Sequence, residues 1–248
     1  MPSSQHTIEE SAPVMGHEND IVEQKACLPL KEERVFTGRS LQMTRFYFNG
    51  PDGKERVQEG IQRVRRNANI SSVLGSRNLC TIGILKRQIM CDCLILVKQY
   101  RAPLKAYTLE FPARVIDSSS GHNLEDIISH EVEDDTGYTS TDIKHISPPT
   151  AVDPDVSDCK IRLVSLLIDG DDPLNHPTAK NDLDDESNGH GHIVELLQVP
   201  VNGLLDRLRQ YSQQGLVIDS RVYAFAIGLK KGEKMALSQF VPNVENIY

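Results

Sequence analysis

Glu131, Asp134 and Asp135 are the residues of this chain whose types and spacing best suit chemistry. They fall in LEDIISHEVEDDT (124–136), which reads as one helix. Gly137 follows it, at the left-handed stop that glycine favours. At about 100° per residue, Leu124, Ile127 and Ile128 form an apolar stripe, and the three carboxylates lie within about 60° of its centre. Asp126, Ser129, His130 and Glu133 already supply a solvent side. Like charges at i, i+3 and i+4 repel, and charges turned inward are costly to desolvate. A divalent cation held between the three would answer both costs. A helix that simply ends here, with its last turn solvated, would answer them as well.

The surrounding elements must position that helix. Cys80–Leu85 and Cys91–Gln99 read as strands joined by the basic turn Lys86-Arg87-Gln88. The second is nearly continuously apolar, which suits a strand covered on both faces. Cys91 and Cys93 read as small buried strand residues within it. Tyr107–Phe111 is a short strand ended by Pro112, and Cys159–Ile168 and Ile193–Leu197 extend the sheet. Val201–Gln213 and Ser220–Lys230 fit helices, with apolar faces built on Leu204 and Leu208 and on Val222 and Ala226. Upstream, Val35–Phe48 and Arg56–Arg65 read as strands around a turn at 49–53, a pair too small to stand alone. The stretch 169–192 is acidic and rich in Gly, Asn and Asp, and reads as a long loop.

The fold class expected is α/β, a mixed sheet flanked by helices and preceded by a small antiparallel strand module. The divisions are a disordered tail at 1–27, the strand module at 28–75, the main domain at 76–235 and a tail at 236–248.

The 248 residues carry a net charge of −8, which argues against a nucleic-acid partner held by overall charge. No apolar run reaches the length of a membrane span, so no membrane partner is expected, and the N-terminus lacks a secretory pattern. Five cysteines without CxxC spacing point to reduced thiols and a cytoplasmic or nuclear setting.

HEVEDDTGY (130–138) resembles the second half of the Nudix box. VKQYR (97–101), LEFPARVID (109–117) and VDPDVSDC (152–159) are similar to the ADP-sugar (ADP-ribose) pyrophosphatase branch of that family. The resemblance covers roughly residues 40–230. It implies a Nudix-type α/β/α sandwich that hydrolyses a nucleoside diphosphate sugar such as ADP-ribose to AMP and ribose 5-phosphate. Mg2+, or Mn2+ in its place, would sit on Glu131, Asp134 and Asp135 with the Ala113 carbonyl. Glu131 would be catalytic, and His192 falls at the family's late-loop base position. Arg101, Glu110, Asp153, Arg63 and Glu59 would contact substrate, Arg101 through charge-assisted bonds to phosphate. A homodimer formed through the N-terminal strands is also implied.

This chain departs from the family pattern at several places. The opening glycine of the box is Arg114, the box arginine is His130, and both members of its Glu-Glu pair are Asp. The loop SSSGHN (118–123) carries no carboxylate where the box has its first Glu. The branch stacks adenine between aromatic rings, often Trp, and this chain has no Trp. Lost stacking weakens base binding by about 1–3 kcal/mol. An impaired diphosphatase is expected, with a catalytically inactive nucleotide-binding or protein-binding module as the alternative.

Overall fold

A computed structural model describes residues 27–64, 78–115, 123–139, 142–175 and 193–240. The chain divides into two compact units, Met1–Val64 and Arg65–Tyr248. Of the expected tail at 1–27, residues 1–26 lie outside the described residues, as do 65–77, the loop residues 118–122, His192 and the residues from 241.

The first unit is a three-stranded antiparallel sheet: β1 (Leu28–Thr37), β2 (Leu41–Asn49) and β3 (Glu55–Arg63), with β2 central. The expected pair of strands is thus three. Charge hides β1: KEER (31–34) shows no alternation, and the strand is exposed along its whole length. The turn after β2 is closed by the Gly53 N–H donating to the Gly50 carbonyl, and Gly53 takes φ 77°, which glycine alone adopts at no cost.

The second unit is a mixed nine-stranded sheet. Its main path runs β12 (Val217–Ile218), β6 (Ala106–Glu110), β5 (Cys93–Arg101), β4 (Asn78–Lys86), β10 (Lys160–Asp169), β8 (Asp142–Ile146). Short β7 (Ala113–Val115) pairs with β4, β9 (Thr150–Ala151) with β10, and β11 (Ile193–Pro200) with β5. β10 runs parallel to β4 and β12 parallel to β6; the other pairings are antiparallel. Helix α1 (Leu124–Thr136) covers one face, and α2 (Leu204–Gln213) and α3 (Ser220–Phe240) the other.

The pleat explains the continuous apolar run of β5. Cys93 and Ile95 join Ile128, Val132 and Tyr138 in the core on the α1 side. Leu94 and Leu96 join Leu204, Leu208, Val222 and Ala226 in the core on the α2–α3 side. Successive side chains point to opposite faces, so a strand roofed on both faces has no polar register.

The helices depart from expectation at their ends. α2 begins at Leu204, after Gly203 at φ 69°. α3 runs to Phe240 rather than Lys230, through KKGEKMALSQ, a stretch of good helix formers interrupted only by Gly232. It therefore enters the stretch expected as a tail.

Candidate functional site

Two clusters of charge are built on neighbouring strands, at either end of the short segment Glu110–Arg114. The first joins β5 to β6. Arg101 and Ala106 are cross-strand partners, and the Arg101 side chain turns along the pair to Glu110. Its Nε donates to Glu110 Oε1 at 2.7 Å and its Nη2 to Oε2 at 2.6 Å, a bidentate pair. The Thr108 hydroxyl lies 2.5 Å from the same Oε1. Glu110 is buried, which by itself would raise its pKa; the bonds from Arg101 and Thr108 outweigh that and hold the carboxyl below the usual range.

Arg101, Thr108 and Glu110 line a cavity of about 440 Å³, whose apolar wall is Leu104, Val217 and Ile218. Asp219 closes it from the start of α3. Asp219 is held by Arg221, which donates from Nε to Oδ1 at 2.8 Å and from Nη2 to Oδ2 at 2.5 Å. The Arg221 backbone N–H also donates to Oδ1, so Asp219 caps α3. Burial alone would raise the Asp219 carboxyl; the Arg221 bonds hold it low instead. Sequence reasoning passed over Asp219 and Arg221. Asp immediately before a helix was the visible signal, and its ordinary meaning is a cap.

The second cluster joins β7 to α1. The helix starts where expected: Asn123 Oδ1 accepts from the Asp126 N–H at 2.7 Å. It ends at Gly137, whose φ is 71° and whose N–H donates to the Glu133 carbonyl. The apolar stripe continues through Val132, buried in the core, so the carboxylates flank the stripe rather than replace it. Side-chain exposure is 22% for Glu131, 17% for Asp135 and 46% for Asp134.

The guanidinium of Arg114 stands among these three. Arg114 Nη1 donates to Asp135 Oδ1 at 3.1 Å and lies 3.9 Å from Asp134 Oδ2. Arg114 Nε is 3.0 Å from Glu131 Oε2. That contact is an ion pair without hydrogen-bond alignment, since this buried oxygen accepts no hydrogen bond from the described residues. Burial pushes the Asp135 carboxyl up to about 6; Arg114 opposes this, and the charges of Glu131 and Asp134 add to it. His130 is 74% exposed, with Nδ1 3.6 Å from Asp134 Oδ1.

The remaining expected site residues belong to other elements. Glu59 and Arg63 are on β3 in the first unit, where Glu59 accepts from Arg45 Nε at 2.9 Å. Asp153 forms a turn, its carbonyl accepting from the Ser157 N–H. Ala113 sits in β7 opposite Cys80.

No protein-family model matches the chain. The mouse protein named ADP-sugar pyrophosphatase is 32% identical over 205 residues, 82% of this chain and 87% of the relative. The chain belongs to the Nudix hydrolase superfamily, in its ADP-sugar pyrophosphatase branch. An ADP-ribose pyrophosphatase of Saccharomyces cerevisiae is 27% identical over 75% of both chains. A putative Nudix hydrolase of Caenorhabditis elegans is 27% identical over 80% of this chain and 83% of its own. The fold agrees with a solved ADP compounds hydrolase at TM-score 0.51 and 16% identity, over 85% of this chain and 95% of that one.

Nudix hydrolases generally use divalent metals such as Mg2+. The residues here do not make such a site as they stand. Among the described residues, no group of three or more His, Cys, Asp and Glu side chains is placed to hold a metal ion. The three box carboxylates instead share one guanidinium. Arg114 causes no backbone strain at the box's glycine position. Lys105 is the only described non-glycine residue with positive φ, and Arg114 pairs regularly with Leu79 in a strand.

Proposed function

We propose that this Nudix protein binds a nucleoside diphosphate sugar, ADP-ribose first, and that its hydrolysis of the diphosphate to AMP and sugar phosphate is impaired. The observation that carries the binding reading is the Arg101–Glu110 pair at the head of the cavity. A buried carboxylate locks the guanidinium at a fixed angle, so its charge is presented to a phosphate without further ordering cost. The cavity wall of Leu104, Val217 and Ile218 offers a base or sugar apolar contact in place of ring stacking. The names of the mouse and yeast relatives support an ADP-sugar as the ligand.

Impairment rests on the box. The family route needs a divalent cation at carboxylates that here surround Arg114. The same observation favours a second reading, an inactive Nudix protein that binds a nucleotide sugar or a protein partner without hydrolysing it. AMP release from ADP-ribose, with Mg2+ and then Mn2+, measured beside equilibrium binding, separates the readings. Binding with slow release supports impairment, and binding with no release supports the inactive form. Turnover in the ordinary enzyme range of about 1–10³ s⁻¹ contradicts both. Absence of binding removes the nucleotide reading.

Two copies of this chain are proposed to pair through the first unit. Its β1 strand exposes Leu28, Leu30, Val35 and Phe36, an apolar edge that a partner would cover. Light scattering of the full chain and of Phe36→Asp tests this: a dimer that becomes a monomer is expected, and a wild-type monomer rules it out.

A further inference from the structure

We propose that Arg114 is a built-in cation standing in the divalent-metal position of the Nudix box, so that the box carboxylates are held together without metal. The proposal rests on the family position of these carboxylates and is independent of the nucleotide.

The root of the side chain is fixed. Arg114 is the middle residue of β7, and its backbone is tied to β4 opposite Leu79. From there the guanidinium crosses to the last two turns of α1. Glu131 and Asp135 are one turn apart on the same helix side, at 3.0 Å and 3.1 Å from Arg114 Nε and Nη1. Asp134, at the rim, is 3.9 Å away. One cation therefore meets every carboxylate that the box retains.

The choice of arginine matters. Its charge is permanent and its five N–H groups spread over a planar fork that several carboxylate oxygens can share. It neutralises part of a repulsion that the helix would otherwise carry alone. It also obstructs a metal. Mg2+ requires oxygen ligands at about 2.0–2.1 Å, so an ion between Glu131 and Asp135 would have to expel the guanidinium or meet its positive charge at close range.

A different role has to be separated from this one. In the family the box arginine orients the acidic groups, and here that position is His130, which is exposed and lies 3.6 Å from Asp134. Arg114 could orient carboxylates for a metal instead of replacing it. The two roles predict opposite effects of removing the side chain.

The test is Mn2+ binding, read by electron paramagnetic resonance, on the full-length chain stripped of metal and free of nucleotide. Wild type, Arg114→Ala and Arg114→Lys are compared, with melting curves in chelator and in Mn2+. Replacement predicts that Arg114→Ala binds Mn2+ at least about tenfold more tightly than wild type, about 1.4 kcal/mol. It also predicts that this variant melts lower in chelator and recovers in Mn2+. Arg114→Lys keeps the charge but not the fork, so it should bind Mn2+ more weakly than Arg114→Ala and no more weakly than wild type. Wild type binding Mn2+ as tightly as Arg114→Ala, or more tightly, overturns the proposal, as does Lys behaving like Ala. Should Arg114→Ala fail to fold in chelator, folding regained in Mn2+ supports replacement, and no recovery overturns it. None of these results depends on ADP-ribose, so they leave the nucleotide reading untouched.

Discussion

Arg101 and Arg114 both reach from a strand to carboxylates, but Arg101 meets one and Arg114 meets three. At Arg101 each charge has a counterpart. Glu110 takes two aligned hydrogen bonds, and Asp219 beside it has Arg221. At Arg114 a single guanidinium faces more negative charge than it can neutralise, and only Asp135 receives an aligned bond from it. The difference shows in the protons: Glu110 is held below the ordinary carboxylate range, while Asp135 is pushed up to about 6. Burial raises both; at Glu110 the bonds from Arg101 and Thr108 outweigh it, and at Asp135 Arg114 does not, against the added charges of Glu131 and Asp134. A balanced pair is a fixed fitting for a ligand. An overloaded cluster is where the family would place a metal and where this chain has placed a side chain.

Breaking the balanced pair should have the larger effect. Glu110→Ala leaves Arg101 without its buried partner. Loss of such a pair costs about 3–5 kcal/mol when fully buried, and the 38% exposure of Arg101 reduces the expected cost to about 2 kcal/mol. Denaturant unfolding reads the stability, and ADP-ribose binding should fall in parallel. Arg114→Ala should cost less in chelator, about 1 kcal/mol, because only Asp135 loses an aligned hydrogen bond and Asp134 stays half-exposed. An Arg114 loss larger than the Glu110 loss would mean that the strand–helix contact, not the strand–strand pair, holds this end of the sheet.

Acid should move the two clusters in opposite directions. The Glu110 carboxyl has a lowered pKa in the folded protein, so its contribution is present above the ordinary carboxylate pKa near ~4 and is lost as pH falls below that. The Asp135 carboxyl has a raised pKa, so the folded state binds its proton more readily. Its contribution is present at low pH and is lost as pH rises through about 6. Stability measured against pH in chelator should therefore steepen with Glu110 in place and flatten between about pH 4 and 6 in Asp135→Asn. The smallest effect is expected at the rim. His130→Ala removes an exposed side chain 3.6 Å from Asp134 and should change stability by less than about 0.5 kcal/mol.

The α1 helix was legible in the sequence because its apolar stripe and Gly137 act locally; the structure adds Asn123 as its cap. Strands β4, β5, β6, β10 and β11 were legible from apolar runs that the two-sided core requires. β1 was not, since a strand exposed along its length has no apolar alternation to show. β7 and β9, at three and two residues, are set by pairing with β4 and β10 rather than by local preference. At the site, the pattern singled out Glu131, Asp134 and Asp135 as carboxylates to be met either by a cation or by solvent. It could not supply that cation. Arg114 stands 17 positions before Glu131 (131 − 114) and meets it only because β7 and α1 fold together. Arg101 and Glu110 were each singled out, yet their pairing depends on the antiparallel register of β5 and β6.

The account turns on what occupies the centre of the box carboxylates. The direct measurement is a crystal structure of wild type grown with Mn2+ and ADP-ribose, with anomalous data collected for manganese. The Arg114 guanidinium should remain between Glu131 and Asp135, with no manganese peak there and the nucleotide sugar in the cavity beside Arg101. A manganese peak bridging Glu131 and Asp135, with Arg114 turned away, would contradict it.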